Sequence, residues 1–144
     1  MVHIKDEGSH FDAPIDIVWK YVQSQETHGQ SHRSTRNQQM KQLSENSMVI
    51  SMEQNMNGNW VKVANRITIV PPLGMAIEVI EGPMAGSKMF NVYTAKGNRT
   101  GIDVYGEFMS NQIPAAQLEP MVRGFLDSVF TEDSAGIKAF AAKK

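Results

Sequence analysis

The stretch Phe11-Asp12-Ala13-Pro14-Ile15-Asp16-Ile17-Val18-Trp19-Lys20-Tyr21 decides the fold, because it joins a strand-like arm to a short helix that begins at a proline and carries a tryptophan. Pro14 suits the first turn of a helix, where the missing N–H would have had no partner. Asp12 and Asp16 place negative charge near the positive end of that helix. Apolar residues then recur at helical spacing: Ile15, Val18, Trp19 and Val22. The pattern predicts a helix over about residues 14–23 with one apolar side.

Length and composition predict one globular domain covering residues 1–144. Apolar residues make up 41% and charged residues 20% of the chain, which is typical of a folded protein. The net charge of -1 argues against nucleic acid as a partner. The chain has no cysteine, which excludes disulfides, thiol catalysis and thiolate metal ligands. No apolar run approaches membrane-spanning length, so we expect a cytoplasmic protein without integral membrane association.

The middle of the chain consists of strand-like runs separated by glycine, proline and asparagine. Alternating or β-rich patterns predict strands over residues 2–11, 34–43, 47–56, 60–70, 75–80, 88–95 and 99–109. Asn57-Gly58-Asn59 is the clearest hairpin signal. Pro71-Pro72 ends a strand because proline cannot donate to the ladder.

The last segment changes to a helical period. Its apolar stripe contains Leu118, Met121, Val122, Phe125, Leu126 and Val129. The stripe predicts a long helix over about residues 120–140 that packs against the concave face of the sheet. Pro120 either occupies its first turn or kinks a helix that has already begun near Pro114.

Three segments resemble the START/Bet v 1-like (SRPBCC) superfamily, in particular its polyketide cyclase/dehydrase and lipid-transport-like branch. They are Ala13-Pro14…Val18-Trp19, the run from Arg66 to Pro72, and the run from Thr100 to Phe108. The resemblance implies an α+β helix-grip fold. In this fold a curved antiparallel sheet of about seven strands wraps around a long C-terminal helix, with short helices after the first strand. It also implies a cavity between sheet and helix for a small hydrophobic or amphipathic ligand.

Strand alternation predicts which side chains face that cavity. Asp103, Tyr105 and Glu107 alternate with Ile102, Val104 and Phe108, and burial energy favours the apolar set inside. Arg36 and Arg66 are more simply explained as outward, cross-strand partners. The predicted ligand-binding residues are His28, His32, Met48, Met52, Ile67, Ile77, Tyr93, Val104, Phe108, Phe125 and Val129.

The ten methionines are a second notable feature. Methionine is flexible and polarizable, so it suits a wall that accepts varied ligands, but it fills ordinary cores equally well. Both interpretations stay open at this point.

His28 and His32 are the best candidates for chemistry. Four residues apart, their rings would share one face of a helix and could hold a metal, contact a ligand at the cavity mouth, or simply lie at the surface. We expect no metal and no cofactor. Catalytic residues cannot be assigned, because the chain has neither a Gly-x-Ser-x-Gly elbow nor a phosphate loop followed by a helix.

Three functions are therefore considered. The first is binding or transport of a small hydrophobic or amphipathic molecule. The second is a polyketide cyclase-like or dehydratase-like enzyme that uses His28 or His32 as general acid or base. The third is a protein-interaction module. A closed apolar cavity lined by the methionines favours the first, converging polar groups the second, and a broad exposed apolar patch the third.

Overall fold

The fold is described from a computed structural model, which covers residues 1–24, 32–56 and 58–143. The strands are β1 (Val2–Phe11), β2 (Thr35–Gln42), β3 (Ser47–Met56), β4 (Asn59–Val70), β5 (Gly74–Glu81), β6 (Lys88–Lys96) and β7 (Arg99–Phe108). The helices are α1 (Ile15–Gln23) and α2 (Ala115–Ala142). No helix in these ranges is long and apolar enough to cross a membrane.

All seven strands form one antiparallel sheet in the order β1-β7-β6-β5-β4-β3-β2. The sheet curves around α2, with α1 following the first strand. The predicted α+β helix-grip architecture is thus confirmed. Of the short helices expected after β1, the described residues contain one, α1.

Proline begins both helices. Pro14 precedes α1, and its carbonyl accepts hydrogen bonds from the backbone N–H groups of Ile17 and Val18. Pro114 likewise precedes α2, and its carbonyl accepts hydrogen bonds from the backbone N–H groups of Gln117 and Leu118. The long helix therefore starts near Pro114, and Pro120 lies inside it, which settles the alternative that the sequence left open.

Side-chain contacts join the three segments that carry the family resemblance. The Trp19 indole N–H donates to the carbonyl of Pro72 at 3.0 Å, which ties α1 to the turn after β4. The hydroxyl of Thr100, fully buried at the start of β7, donates to the carbonyl of Ala13 at 2.8 Å. These bonds satisfy polar groups that burial would otherwise leave unpaired, so each segment holds another in place.

Packing of the two helices requires a residue without a side chain. A Cβ on Gly136 of α2 would lie 2.1 Å from the hydroxyl oxygen of Tyr21. Tyr21 is only 1% exposed and packs edge-on against Phe140. Gly136, which lowers intrinsic helix propensity, is thus explained by the close approach of α1.

Charged residues on the convex face form cross-strand pairs, as the sequence predicts. Arg36 pairs with Glu53 at 3.3 Å and Arg66 with Glu78 at 3.9 Å. The hydroxyl of Tyr105 donates to Glu7. Such exposed pairs contribute little stability each.

Candidate functional site

A partly open cavity of about 220 Å³ lies between the sheet and the first half of α2. The strands supply one wall, α2 the facing wall, and the β5–β6 connection one side. Its apolar lining consists of Met56, Val63, Ile77, Val79, Pro83, Met84, Met89, Phe108, Met121, Val122, Phe125 and Leu126. A concave, mostly apolar space of this kind suits a small organic ligand.

The cavity occupies one end of the concave face because aromatic side chains fill the other end. Phe11 stacks on Phe130 with ring centroids 5.2 Å apart. Trp19 meets Tyr93 edge-on at 5.3 Å. These rings belong to a buried cluster that also takes in Ile137 and Phe140. The cavity lies where the first half of α2 faces residues of β3 to β7.

Strand pairing places every predicted strand residue on the concave face. Directly paired residues of an antiparallel sheet point to the same side. Met48 pairs with Ile67, which pairs with Ile77, and Ile77 lines the cavity. The same argument applies to Met52 through its partner Val63. The facing predicted from alternation is therefore confirmed for these positions.

Facing the concave side is not the same as lining the cavity. Of the predicted ligand-binding residues, the cavity is lined by Ile77, Phe108 and Phe125. Ile67 and Tyr93 belong to the filled aromatic end, and Val104 packs against the cluster around Leu118. Whether any of them contacts a ligand stays a prediction.

Phe125 differs from the expectation of close packing on the sheet. It is 37% exposed, whereas Val122 and Leu126 are buried beside it at 4% and 7%. Its ring forms part of the cavity wall instead of the core. Val129 is half-buried on the same helix and lies outside the lining.

Four methionines line the cavity, namely Met56, Met84, Met89 and Met121. They come from β3, the β5–β6 connection, β6 and α2, so no single sequence period could have grouped them. Met48 and Met52 are not among them. The wall is nonetheless rich in flexible side chains, which adapt to differently shaped ligands.

His32 is engaged by two carboxylates of α2 and does not line the cavity. Its Nδ1 lies 3.0 Å from Glu132 Oε1 and its Nε2 lies 3.2 Å from Asp133 Oδ1. Burial lowers the pKa of His32, but hydrogen bonds and charge from Asp133 and then Glu132 outweigh it, so the pKa is raised. The ring therefore holds the chain before β2 onto α2. His28 lies outside the described residues.

Tyr93 is buried at the filled end of the concave face, 6% exposed. Burial first, and then the negative charge of Asp133, raise the pKa of its hydroxyl. It consequently stays neutral at physiological pH. In the described part of the chain no group of three or more acidic or histidine side chains is arranged to hold a metal ion.

The polar lining of the cavity was missed at the sequence level. It consists of Gln54, Asn55, Asn65, Ser87 and Lys88. Asn65 was detectable in principle, because it interrupts the apolar face formed by Val61, Val63, Ile67 and Ile69. Ser87 carried no such signal, since it follows a glycine-rich turn.

The fold is similar to those of several solved structures. The aromatase/cyclase Zhui from Streptomyces sp. R1128 superposes with a TM-score of 0.78 at 12% identity, over 99% of this chain and 94% of that one. Ara h 8.0201 gives 0.76 at 12% identity over 96% and 98%. A START superfamily protein from Mycobacterium smegmatis gives 0.76 at 8% identity over 96% and 97%.

No protein-family model matches the sequence, and no curated protein matches it. At these identities the structural likeness concerns the fold. The chain has the START/Bet v 1-like helix-grip fold, as its three sequence segments predicted. The cavity that the resemblance implied between the sheet and the C-terminal helix is the one described above.

Proposed function

We propose that this protein binds a small hydrophobic or amphipathic molecule in the cavity between α2 and the sheet. The observation that carries the proposal is the cavity itself, about 220 Å³ with a predominantly apolar wall. An apolar cavity of about 150 Å³ is enough to bind benzene. A ligand with the bulk of two fused aromatic rings is therefore a reasonable fit, and burying it would be favourable in proportion to its apolar area.

The test fills the cavity and asks whether binding is lost. Val79 lines the cavity on β5, and its neighbour Ile80 points to the other face and is 42% exposed. Val79→Phe adds bulk inside the cavity, and Ile80→Phe adds a ring outside it on the same strand. Binding of 2-naphthol is measured by equilibrium dialysis. The proposal expects Val79→Phe to weaken binding at least tenfold and Ile80→Phe to leave it unchanged.

Two results would contradict this function. If wild-type protein does not bind 2-naphthol, the cavity is not a site for ligands of this size. If both variants bind as wild type does, the probe is held elsewhere. Thermal unfolding of Val79→Phe serves as the control for folding, because overpacking costs about 1–3 kcal/mol.

The enzyme alternative lacks a supporting observation in the described residues. Among the described residues, those that line the cavity include no histidine, and His32 is paired with Glu132 and Asp133. The two functions are separated by the double substitution His28→Gln and His32→Gln, which removes titration near neutral pH at both candidate histidines but keeps hydrogen-bonding capacity. A binding protein should keep its affinity for 2-naphthol within about fivefold, or about 1 kcal/mol. A histidine-dependent enzyme should still bind but lose roughly 10²–10⁴-fold in rate.

A further inference from the structure

Asn65 is an amide placed on the apolar face of the sheet. It lies in the middle of β4, where its strand partners on the two sides are Ile50 and Val79. It lines the cavity, and along its own strand the next residues on the same face are Val63 and Ile67. An amide among such neighbours is costly unless both of its polar ends are paired.

The side-chain oxygen of Asn65 is buried and has no hydrogen-bond partner in the part of the chain that the structure describes. Buried polar atoms of folded proteins are nearly always paired, so an exception needs an explanation. A ligand in the cavity that Asn65 lines is one such partner.

Other polar groups of the cavity are already occupied. The Ser87 hydroxyl donates to the Met109 carbonyl at 3.0 Å and accepts from the Met109 N–H at 2.9 Å. The side-chain oxygen of Asn55 accepts from the backbone N–H of Gly58 at 2.8 Å. Neither group needs a ligand to satisfy it, whereas Asn65 is a lining residue whose buried side-chain oxygen has no partner among the described residues.

The charge of the lining indicates a neutral ligand. Among the described lining residues Lys88 is the one cation. Its side chain is 64% exposed, and its ammonium lies 3.9 Å from the Glu107 carboxylate on the convex side. A carboxylate buried in the cavity would therefore lack a close counter-charge, and burial of an unpaired charge is strongly unfavourable.

We propose that Asn65 determines ligand specificity, and that the ligand is a compact, neutral, apolar molecule carrying one hydroxyl group that hydrogen-bonds to the Asn65 amide. This inference rests on the proposed function and adds the chemistry of the ligand to it. A hydroxyl both donates and accepts, so it can pair with either end of an amide.

The experiment compares two probes of the same shape, 2-naphthol and 2-methylnaphthalene, by equilibrium dialysis. In wild type and in Asn65→Leu the ratio of the two dissociation constants is measured. Differences in hydration of the free probes cancel when the ratio for the variant is divided by that for wild type. We expect the preference for 2-naphthol over 2-methylnaphthalene to be about tenfold smaller in Asn65→Leu than in wild type, because a tenfold change in affinity corresponds to the loss of about one hydrogen bond.

Asn91→Leu is the matched control. Asn91 lies on the same concave face, paired with Met75 and Val104, but outside the cavity lining. Its substitution should leave the probe ratio unchanged. Asn65→Leu should unfold at the wild-type temperature or above, because it removes an unpaired buried acceptor. If the leucine variant does not fold, the same probe ratio is measured in Asn65→Val, because valine is well suited to a strand.

The outcomes separate the two proposals. If wild type binds neither probe, the proposed function fails. If both probes bind and their ratio does not change in Asn65→Leu, the role of Asn65 is wrong, while the cavity remains a binding site. An equal change in Asn65→Leu and Asn91→Leu would also overturn the role of Asn65, because the effect would then not belong to the cavity.

Discussion

The contact between α1 and α2 gives the sharpest test of the fold, through the pair Gly136→Ala and Gly124→Ala. Both glycines lie inside α2, so both substitutions gain about 1 kcal/mol of helix propensity. A Cβ at Gly124 meets nothing within 4 Å. A Cβ at Gly136 would lie 2.1 Å from the hydroxyl oxygen and 2.7 Å from Cζ of Tyr21. The two substitutions differ mainly in that clash.

The magnitude follows from these distances. Overpacking of a buried contact costs about 1–3 kcal/mol, and an overlap this deep belongs at the upper end. After the propensity gain, Gly136→Ala should be destabilised by about 2 kcal/mol. Gly124→Ala should be stabilised by about 1 kcal/mol. At about 2–4 °C per kcal/mol for a chain of this size, the variants should melt on opposite sides of wild type.

Urea unfolding of both variants and wild type measures the difference. A second variant locates its cause, because Tyr21→Phe removes the closest atom. In the Tyr21→Phe background Gly136→Ala should cost less than it does in wild type, as a double-mutant cycle would show. If Gly136→Ala is as stable as Gly124→Ala, the helices do not approach each other as described.

Three further predictions concern single side chains. The pKa of His32 is raised from its ordinary 6.5, so the stabilisation from its ion pairs is complete below about pH 6.5 and is lost as the pH rises through the raised pKa. Urea unfolding of wild type and His32→Gln at increasing pH should therefore show a shrinking difference in their free energies of unfolding. A difference that stays constant with pH would contradict this prediction. Thr100→Val should cost about 1–3 kcal/mol in thermal unfolding, because the buried carbonyl of Ala13 loses its donor; a loss below about 0.5 kcal/mol would show that another group replaces it. Phe125→Ala should cost about 1–2 kcal/mol, less than the roughly 3–5 kcal/mol of a fully buried phenylalanine, because the ring is 37% exposed; a urea measurement at the higher value would place it in the core.

Local patterns predicted the elements and their facing well. Gly58 of the predicted hairpin signal lies between the end of β3 at Met56 and the start of β4 at Asn59, and it has a positive φ of 87°; Asn57 lies outside the described residues. Alternation placed Val104 and Phe108 on the concave face, because successive side chains of a strand point to opposite faces. The facing of one residue therefore determines the facing of its neighbours. These features depend on residues close together in the chain.

The open part of the concave face could not be predicted in the same way. Phe11 fills one end by stacking on Phe130, more than a hundred residues away. His32 finds its carboxylates on α2, a comparable distance along the chain. Periodicity assigns a side chain to a face but does not say what lies opposite, so it could not separate Ile77, which lines the cavity, from its strand partner Ile67, which does not.

The most direct measurement of the central claim is a methyl NMR titration of methionine-labelled protein with 2-naphthol. Methionines occur both in the cavity wall, as Met56, Met84, Met89 and Met121, and on the exposed surface, as Met1 and Met40. A ring bound in the cavity should shift the four wall methyls and leave the two surface methyls in place. Shifts confined to Met1 or Met40, or no shifts at a saturating concentration of the probe, would contradict binding between α2 and the sheet.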